Sequence, residues 1–265
     1  MAKPQLTIIT PVFNGIRFIE SCIKNVMDQA QEGVLEHIIF DGGSTDGTTE
    51  VIKRYAEHCS HIRWASEPDR GQSDAMNKGV RAAAGQILGF LNVDDFYEPG
   101  VLREIVPMFE RFREPTLLVG NCNIWDDHGK LISVSRPASI GLLNLLRGRY
   151  EEAFPMNSSA YFYHRSLHDR IGPYEVGEIF AMDIHFIFRA VQHANVAYVD
   201  KTFGNYRYLE GTRTFEDVKN GMNSVRVKKI TDDYRRQQPA YIRAWLSLSQ
   251  VQARILRAVR KITDS

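Results

Sequence analysis

Apolar blocks alternate with polar segments along the N-terminal part of the chain. The short apolar runs predict buried strands over residues 6–10, 37–40, 62–65 and 86–91. Between these runs, apolar residues recur at helical spacing, which predicts helices over residues 16–30, 51–56 and 72–84. We expect the first strand to break at Pro11, because proline interrupts strand ladders. Strands that alternate with helices favour an α/β fold, with helices flanking a mainly parallel central sheet.

The pattern changes beyond residue 115. Residues 116–120 and 123–135 predict a small antiparallel excursion around the turn at 127–129. A helix over 180–193 and a strand over 196–199 follow, and the chain reads as helical from Phe215 onward with a break at Pro239. These changes divide the chain into residues 1–100, residues 101–214 and a helical C-terminal extension over 215–265.

Composition excludes several classes of protein. The chain has 265 residues, 43% hydrophobic and 25% charged, which suits one domain or two fused subdomains. A net charge of +1 gives no electrostatic case for a nucleic-acid partner. The cysteines are odd in number and widely separated, so reduced thiols are expected rather than a disulfide scaffold. No signal-like stretch and no run of ~20 apolar residues is found, and we expect a cytoplasmic protein.

Polar or acidic clusters follow three of the predicted strands, at residues 10–14, 41–46 and 92–95. Ligands of parallel sheets bind beyond the carboxyl ends of the strands. We therefore expect these clusters to gather along one edge of the sheet.

Asp94 and Asp95 directly follow an apolar strand. Adjacent carboxylates repel each other, and a nearby cation would relieve that repulsion. Oxygen ligands suit Mg²⁺ or Mn²⁺, which can also bridge to a substrate phosphate. The alternative is that the pair caps a following helix.

Two further segments carry groups that could hold a nucleotide. Asp41 could accept a hydrogen bond from a base or a ribose, or it could simply stabilise the turn. Within residues 67–79, Arg70 and Lys78 could neutralise phosphates beside a helix that begins near Gln72, or they could lie on a solvated helix face. The sequence contains neither a GxGxxG fingerprint nor a P-loop.

Together these segments resemble the inverting glycosyltransferases of family 2, which have the Rossmann-like GT-A fold. The motifs that carry the resemblance are residues 7–15, 41–48, 67–79 and 90–95, with weaker matches at 157–166, 171–174 and 181–183. The resemblance implies that residues 1–100 bind the nucleotide-sugar and that residues 101–214 bind the acceptor and hold the catalytic base.

The resemblance also implies roles for individual residues. Asp41 would contact the base, which is typically uracil in the family, and Asp95 would bind Mn²⁺ or Mg²⁺ on the diphosphate. Asp94 would face the ribose or the sugar. The full set of implied donor-binding residues is Thr10, Pro11, Phe13, Asn14, Asp41, Asp69, Gly71, Gln72, Asp74, Lys78, Asn92 and Asp94.

The family places its catalytic base in an acidic pair at the start of a helix. Here only the second acid is kept, and Asp183 is the implied base. The alternatives are a helix cap or a partner for Arg189, and Glu178 is the fallback base.

The sequence departs from the family over residues 206–212, where Leu209 stands at the position of a histidine that helps to hold the metal or the diphosphate. That departure puts a third protein ligand in doubt. Arg207, Thr212 and Arg213 are the candidates that could contact the diphosphate instead, while His185 and His193 are possible substitutes for the histidine.

The implied function is metal-dependent, inverting transfer of a sugar from a UDP-sugar to a hydroxyl of a glycan or lipid-linked acceptor, in surface polysaccharide assembly. Two alternatives stay open at this point. One is a nucleotidyltransferase that makes nucleotide-sugars, and the other is an inactive nucleotide-sugar-binding module.

The C-terminal extension reads as a basic amphipathic helix. Its apolar residues recur at helical spacing at Ile242, Trp245, Leu246, Leu248, Val251, Ile255, Leu256, Val259 and Ile262. Arginines and a lysine lie between these apolar residues in the sequence. Such a helix could lie on an anionic membrane at the inner face. Alternatively, it packs on the catalytic domain or on the partner of a homodimer.

Overall fold

A computed structural model describes residues 3–177 and 180–249 of the chain. Its centre is a 9-stranded mixed sheet. The strands are β1 (Leu6–Val12), β2 (Leu35–Asp41), β3 (Ile62–Ser66), β4 (Ile87–Phe90), β5 (Phe96–Tyr97), β6 (Thr116–Trp125), β7 (Leu131–Ser135), β8 (Tyr161–His164) and β9 (Asn195–Arg207).

The helices flank this sheet. They are α1 (Ile19–Met27), α2 (Thr48–Ala56), α3 (Gln72–Ala82), α4 (Val101–Phe109), α5 (Leu142–Leu146), α6 (Tyr150–Ala153), α7 (Leu167–Ile171), α8 (Met182–His193), α9 (Arg213–Lys219) and α10 (Met222–Arg236). A 3₁₀ turn covers Ser158–Ala160, and residues 240–249 are helical.

The sheet has the order β3-β2-β1-β4-β8-β6-β9-β5, and β7 pairs with β6. The strands β1 to β4 run parallel to one another, and β9 runs parallel to β6. The strands β5, β7 and β8 pair antiparallel with their neighbours. The predicted α/β class with an antiparallel excursion is therefore confirmed.

The predicted break of the first strand at Pro11 is wrong, because β1 continues to Val12. The amide of Leu91 donates to the carbonyl of Ile9, and the amide of Gly42 donates to the carbonyl of Val12. Alternate residues thus face β4 and β2, and Pro11 faces the β4 side. Pairing with β4 ends at Ile9, so the missing N–H of Pro11 removes no ladder hydrogen bond.

The second half of the chain contains strands that the sequence pattern did not predict. The aromatic run of β8 lies in the middle of the sheet, between β4 and β6. The two-residue β5 is too short to show a period. The predicted strand over 196–199 is only part of β9, which continues to Arg207 because its polar residues pair with β6 and β5.

Both faces of the sheet are covered. Along β4, Leu88 and Phe90 belong to one apolar cluster, while Ile87 and Leu91 belong to another. The first cluster also holds the inner residues of α8, and the second holds those of α4. The strand β4 is therefore buried on both faces, and a ligand could reach it only at its carboxyl end.

The described part of the C-terminal extension packs on this core. Ile230, Tyr234 and Leu246 belong to the cluster that contains α8. The ring of Tyr234 stacks on Phe188 of α8, with centroids 4.4 Å apart. No helix in the described ranges is long and apolar enough to cross a membrane. The tail residues Val251, Ile255, Leu256, Val259 and Ile262 lie outside the described residues.

Candidate active site

The loops after β1 and β2 are fastened to each other. Asn14 adopts a left-handed backbone (φ 49°), which asparagine tolerates better than most residues. Its amide donates to Oγ of Ser44 (2.7 Å), and its side-chain oxygen accepts from the amide of Thr45 (3.0 Å). The amide of Ile16 donates to the carboxylate of Asp46 (3.0 Å). Asn14, a predicted donor-binding residue, therefore holds this edge of the sheet in shape.

Asp41 ends β2 and is buried under its own loop. Its carboxylate accepts hydrogen bonds from the amides of Gly43 (3.0 Å) and Ser44 (2.9 Å) and from the hydroxyl of Ser66 (2.7 Å). The hydroxyl of Ser44 also donates to it. The turn-stabilising role is thus the one that these contacts show, and a contact with a nucleotide base stays a prediction.

The side chain of Thr10 does not line this edge. It is fully buried, and a hydrogen bond of 2.9 Å joins its Oγ1 to Nε2 of His37. Burial lowers the pKa of His37 to about 3, so the ring is neutral. The predicted contact of Thr10 with the donor stays a prediction, and the contact that the structure shows for its side chain is the one with His37. That side chain supports the sheet, because alternate strand residues point inward.

Phe13, Gly42 and Asp69 meet at the open side of these loops. The ring of Phe13 is 62% exposed. A Cβ built on Gly42 would lie 2.7 Å from Oδ2 of Asp69 and 3.4 Å from the Phe13 ring. An exposed aromatic ring beside a carboxylate is a surface on which a nucleotide base can stack and hydrogen-bond.

The start of α3 completes the same edge. Oδ1 of Asp69 accepts from the amide of Gly71 (2.8 Å), whose φ of 105° suits glycine. Asp74 accepts from the amide of Arg70 (3.2 Å), and Nζ of Lys78 lies 3.8 Å from Asp74. Of the predicted donor-binding residues, Asp69 thus lies in the loop before α3, while Asp74 and Lys78 lie in the helix itself and Asp74 is hydrogen-bonded back to that loop.

Asn92 connects that loop to the acidic pair. Its side-chain oxygen accepts from Nε2 of Gln72 (2.8 Å), while its amide nitrogen donates to Oδ2 of Asp95 (3.1 Å). The loops after β1, β2, β3 and β4 therefore share one surface. We call this surface the rim and define it as residues 13–16, 41–46, 67–72 and 92–95.

Asp95 is almost fully enclosed, with 1% exposure, as is Asp41. Its carboxylate also accepts from Nδ2 of Asn157 (2.8 Å) and from the amide of Arg207 (3.0 Å). Burial and the charge of Asp94 raise the pKa of Asp95 above its usual range. Burial likewise raises the pKa of Asp94, although Arg207 opposes this. The protein thus holds two carboxylates where negative charge is poorly solvated.

This chemistry fits a divalent cation. Carboxylate oxygens are preferred ligands of Mg²⁺ and Mn²⁺, and a cation would offset the charge that burial destabilises. Among the described residues, no group of three or more His, Cys, Asp or Glu side chains could hold a metal ion. Asp95 is the residue that the resemblance assigns to the metal, and Asp94 beside it adds a second carboxylate; a cation at this pair stays a prediction.

The structure also shows the contacts of the residues around the predicted histidine position. Leu209 is buried. Arg207 lies at the acidic pair, where its guanidinium donates to the carbonyl of Asp94 and stands 4.7 Å from the ring centre of Phe96. Thr212 caps α9 by accepting from the amide of Phe215 (3.3 Å). Of the proposed diphosphate contacts, Arg207 has the position that suits one.

Asp183 lies in the first turn of α8 and hydrogen-bonds to the hydroxyl of Tyr161 (3.3 Å). Burial raises the pKa of Asp183 to about 6, and the Tyr161 hydrogen bond opposes that rise. Arg189 is not its partner, because that guanidinium donates to the carbonyls of Ile171 (2.8 Å) and Pro173 (3.0 Å). The fallback base, Glu178, lies outside the described residues.

One contact brings the neighbours of Asp183 and of the rim together. The hydroxyl of Ser73, which follows Gln72, donates to Sδ of Met182 (3.1 Å), the residue before Asp183. In contrast, His185 lies 3.4 Å from the hydroxyl of Tyr234 and, with His193, lines a separate groove between α8 and α10. The two histidines therefore do not stand in for the missing metal ligand.

Sequence reasoning assigned no role to Asn157 or Tyr161, although both fall in a motif that carried the resemblance. Each contacts one of the predicted acidic residues from a position distant in the chain. A buried asparagine before a 3₁₀ turn could have been noticed as a cap, but its second contact, with Asp95, has no local sequence signature.

Comparison with known proteins identifies the family. The sequence profile named Glycosyl transferase family 2 matches residues 7–171, which include all of the implied donor-binding residues and Asp95. The chain belongs to glycosyl transferase family 2. Membership makes this protein a glycosyltransferase and argues against the nucleotidyltransferase alternative.

Curated relatives of this family 2 chain carry glycosyltransferase names. One is Rv1514c of Mycobacterium tuberculosis, an uncharacterised glycosyltransferase with 32% identity over 195 residues, or 71% of this chain and 70% of the relative. Another is EpsJ of Bacillus subtilis, also an uncharacterised glycosyltransferase, with 24% identity over 89% of this chain and 67% of the relative.

Solved structures share the GT-A fold of the family. The S. aureus protein TarS (residues 1–349) in complex with UDP-GlcNAc superposes with a TM-score of 0.66 and 17% identity, over 80% of this chain and 60% of that one. The Pyrobaculum calidifontis mannosyltransferase PcManGT, in complex with GDP-Man and Mn²⁺, has a TM-score of 0.64 and 20% identity, over 93% of this chain and 70% of that one. These likenesses confirm the predicted fold.

Proposed function

We propose that this family 2 glycosyltransferase is a metal-dependent, inverting hexosyltransferase that uses a UDP-sugar. Its acceptor would be a hydroxyl of a glycan or lipid-linked sugar, in the assembly of surface polysaccharide or glycoconjugate. One observation carries the proposal. The loop that holds Asp69 is joined to the acidic pair through the hydrogen bonds of Asn92 with Gln72 and Asp95. Met182, the neighbour of Asp183, hydrogen-bonds to Ser73 at the start of α3.

The donor would lie along the rim. Phe13 and Asp69 offer a ring and a carboxylate to the base, and Asp41 shapes the loop beneath them. Gly71 and Gln72 lie at the start of α3, where the positive end of the helix dipole favours phosphate, and Lys78 lies further along the same helix. The UDP-GlcNAc complex of TarS and the GDP-Man complex of PcManGT support a nucleotide-sugar donor of this kind. We propose residues 1–100 as the donor subdomain, 101–214 as the acceptor subdomain and 215–265 as the helical extension.

Asp183 would act as the general base. Its carboxylate takes the proton of the acceptor hydroxyl, and the hydroxyl oxygen forms a bond to the anomeric carbon. The bond between that carbon and the diphosphate oxygen breaks, and the nucleoside diphosphate leaves with the bonding electron pair. Because the attack comes from the face opposite the leaving group, one displacement inverts the anomeric configuration.

A divalent cation at Asp94 and Asp95, when bound, would supply Lewis-acid stabilisation of the charge that develops on the leaving diphosphate. The Mn²⁺ complex of PcManGT supports a divalent metal. The protein's own contribution is to hold Asp95 in place through Asn92, Asn157 and the amide of Arg207. The side chain of Arg207 adds a positive charge on the same side.

The base assignment is tested by Asp183→Asn. We expect the turnover rate to fall by about 10²–10⁴-fold, the usual contribution of general-base catalysis, while donor affinity measured by calorimetry stays the same. Asp169→Asn, an exposed acid in the first turn of α7, is the matched control and should leave both quantities unchanged. Near-normal turnover of Asp183→Asn would remove the assignment.

The donor is tested by a panel of nucleotide-sugars, read as thermal shifts with and without Mn²⁺, because a bound ligand raises the melting temperature. We expect UDP-sugars to stabilise the protein more than GDP-sugars, and more strongly with Mn²⁺. The anomeric configuration of the product, read by NMR, should be inverted relative to the donor. Retention would contradict the single displacement, and absence of any sugar transfer would favour the inactive module.

The C-terminal extension would contact the inner face of an anionic membrane. Residues 240–249 bury Leu246 against the core but leave Tyr241 (73%) and Leu248 (70%) exposed, with Trp245 beside them. The guanidinium of Arg147 lies 4.1 Å from the Trp245 ring centre. An aromatic and apolar face next to a cation suits a membrane interface.

This contact is tested by flotation with anionic liposomes, comparing the wild type with the double variant Tyr241→Ser and Leu248→Ser. Both positions are exposed, so the fold should be kept. Loss of flotation would support membrane contact. If flotation is unchanged, the membrane proposal fails, and a measured shift from dimer to monomer would instead indicate a homodimer surface.

A further inference from the structure

A short segment touches both of the acidic centres on which the proposed function rests. We call residues 157–161 the bridge segment. At one end, Nδ2 of Asn157 donates to Asp95 (2.8 Å). At the other end, the hydroxyl of Tyr161 donates to Asp183 (3.3 Å). The two contacts are separated by a single 3₁₀ turn, Ser158–Ala160.

The bridge segment is held firmly in place. The side-chain oxygen of Asn157 accepts from both the amide (2.8 Å) and the hydroxyl (2.7 Å) of Ser159. Ser159 is itself fully buried against β9, where a Cβ on Gly204 would come within 2.1 Å of its Oγ. Because there is no space for the turn to shift, movement at one end is resisted at the other.

The ring of Tyr161 is equally fixed. It is 1% exposed and stacks on Phe186 of α8, with centroids 5.8 Å apart and planes 17° apart. Burial raises the pKa of Tyr161 well above its usual value, so its hydroxyl stays a hydrogen-bond donor. In the described ranges, the titratable groups that face Asp183 are the phenols of Tyr161, Tyr163 and Tyr174. Of these, Tyr161 is the one hydrogen-bonded to the carboxylate.

We propose that Tyr161 is a positioning residue for Asp183, and that the bridge segment fixes the base relative to the metal-side carboxylate of Asp95. The hydroxyl of Tyr161 holds the Asp183 carboxylate in one orientation and stabilises its charged form, which is the form that accepts the acceptor proton. This inference rests on the proposed base role of Asp183 but is separable from it, because it concerns how the base is held.

The test is Tyr161→Phe, which keeps the ring and its stacking but removes the hydroxyl. Without that donor the charged carboxylate is less stable, so the acid limb of the pH profile of kcat should move upward by about one pH unit. At pH values well below the pKa of Asp183, the variant should then be about tenfold less active than the wild type, because one pH unit is a factor of ten in the deprotonated fraction. Activity on the high-pH plateau and the donor KM should change little.

Tyr163→Phe is the matched control. Tyr163 lies on the same strand and is fully buried, and its hydroxyl forms hydrogen bonds with Nε2 of His168 (2.8 Å) and with the hydroxyl of Tyr174 (3.3 Å) rather than with Asp183. A purely structural role would lower the melting temperature of both variants and leave both pH profiles in place. A shift confined to Tyr161→Phe supports the proposal, and an unshifted limb, or equal shifts in both variants, overturns it.

A second variant covers the case in which Tyr161→Phe does not fold. A fluorotyrosine placed at position 161 keeps the hydroxyl and makes it a stronger donor, so the acid limb should move downward instead. An unmoved limb there also overturns the proposal. If Asp183→Asn retains turnover, the proposed function itself fails, whereas loss of turnover in Asp183→Asn with an unshifted limb in the Tyr161 variants removes only the positioning role.

Discussion

Single residues in this protein are defined by what surrounds their charge. Asp183, Asp94 and Asp95 are carboxylates of the same chemistry, yet burial raises the pKa of each by removing the water that would solvate it. Asp183 has one hydroxyl partner, and Asp95 has three nitrogen donors. The first environment suits a group that exchanges a proton, and the second suits one that stays fixed.

The pH dependence of turnover follows from the environment of Asp183. A base is active only when deprotonated, and the pKa of Asp183 is about 6. We expect kcat, measured at saturating donor and Mn²⁺, to be constant above that value and to fall about tenfold per pH unit below it. The residual activity of Asp183→Asn should lack this limb. A limb that persists in Asp183→Asn would assign the titration to another group.

The two acids at the rim should differ in their response to substitution. Asp95→Asn removes a buried carboxylate and leaves an N–H facing a donor nitrogen, so we expect loss of metal-dependent UDP binding and a destabilisation of about 1–3 kcal/mol. Asp94 is only partly buried, so Asp94→Asn should weaken metal-dependent binding with less effect on stability. Calorimetric titration of UDP with and without Mn²⁺, beside thermal melts, measures both. Unchanged affinity in Asp95→Asn would contradict its role.

At the scale of elements, the site depends on how closely helices approach the sheet. The helix α3 carries Gln72, Asp74 and Lys78, and its backbone lies directly on β1. A Cβ on Gly79 would be 2.3 Å from Cγ2 of Ile9, which is fully buried. This contact sets the distance between α3 and the sheet, and therefore the position of the loop that precedes the helix.

Gly79→Ala tests that packing. Alanine gains about 1 kcal/mol of helix propensity over glycine, but overpacking a core costs about 1–3 kcal/mol. Since Ile9 has no space to move, we expect the cost of overpacking to exceed the gain in helix propensity. The free energy of unfolding measured in urea should fall by about 1–2 kcal/mol, and donor binding should weaken. Gly141→Ala is the control, because its backbone is extended and no atom lies within 4 Å of the added carbon. A stabilised Gly79→Ala protein would contradict the close approach.

At the scale of the whole molecule, the C-terminal extension is part of the same core as α8, which carries the proposed base. Ile230, Tyr234 and Leu246 lie in the cluster that contains the buried face of α8. The three segments proposed from the sequence therefore share apolar packing. Whatever moves the extension would also act on α8 and hence on Asp183.

A chain ended at residue 221 tests this dependence. Among the described residues it loses three buried apolar side chains, each worth about 1.5–3 kcal/mol, and the sum is comparable to a typical total stability of about 5–15 kcal/mol. We expect this chain to be largely unfolded by circular dichroism. A chain ended at residue 249 is the control and should melt cooperatively. Cooperative melting of the shorter chain near the wild-type temperature would show that the extension is dispensable.

The sequence alone determined the features that depend on near neighbours. The alternation of strands and helices, the turn residues at the strand ends and the acidic residues at positions 41, 94 and 95 are local patterns, whereas Asp183 was implied only by the family resemblance. These patterns predicted the α/β class, the strands β1 to β4 and the hairpin of β6 and β7. They also marked the rim, because parallel strands end at one edge of their sheet.

Only the tertiary structure decided which distant residues complete the site. Asp95 meets Asn157 across 62 positions and Arg207 across 112, and no local period encodes such contacts. The same holds for Thr10, whose inward orientation follows from its place in β1, and for Tyr161, which reaches Asp183 because β8 enters the middle of the sheet. Local propensity fixes how a segment folds, whereas the packing of the sheet fixes which segments meet.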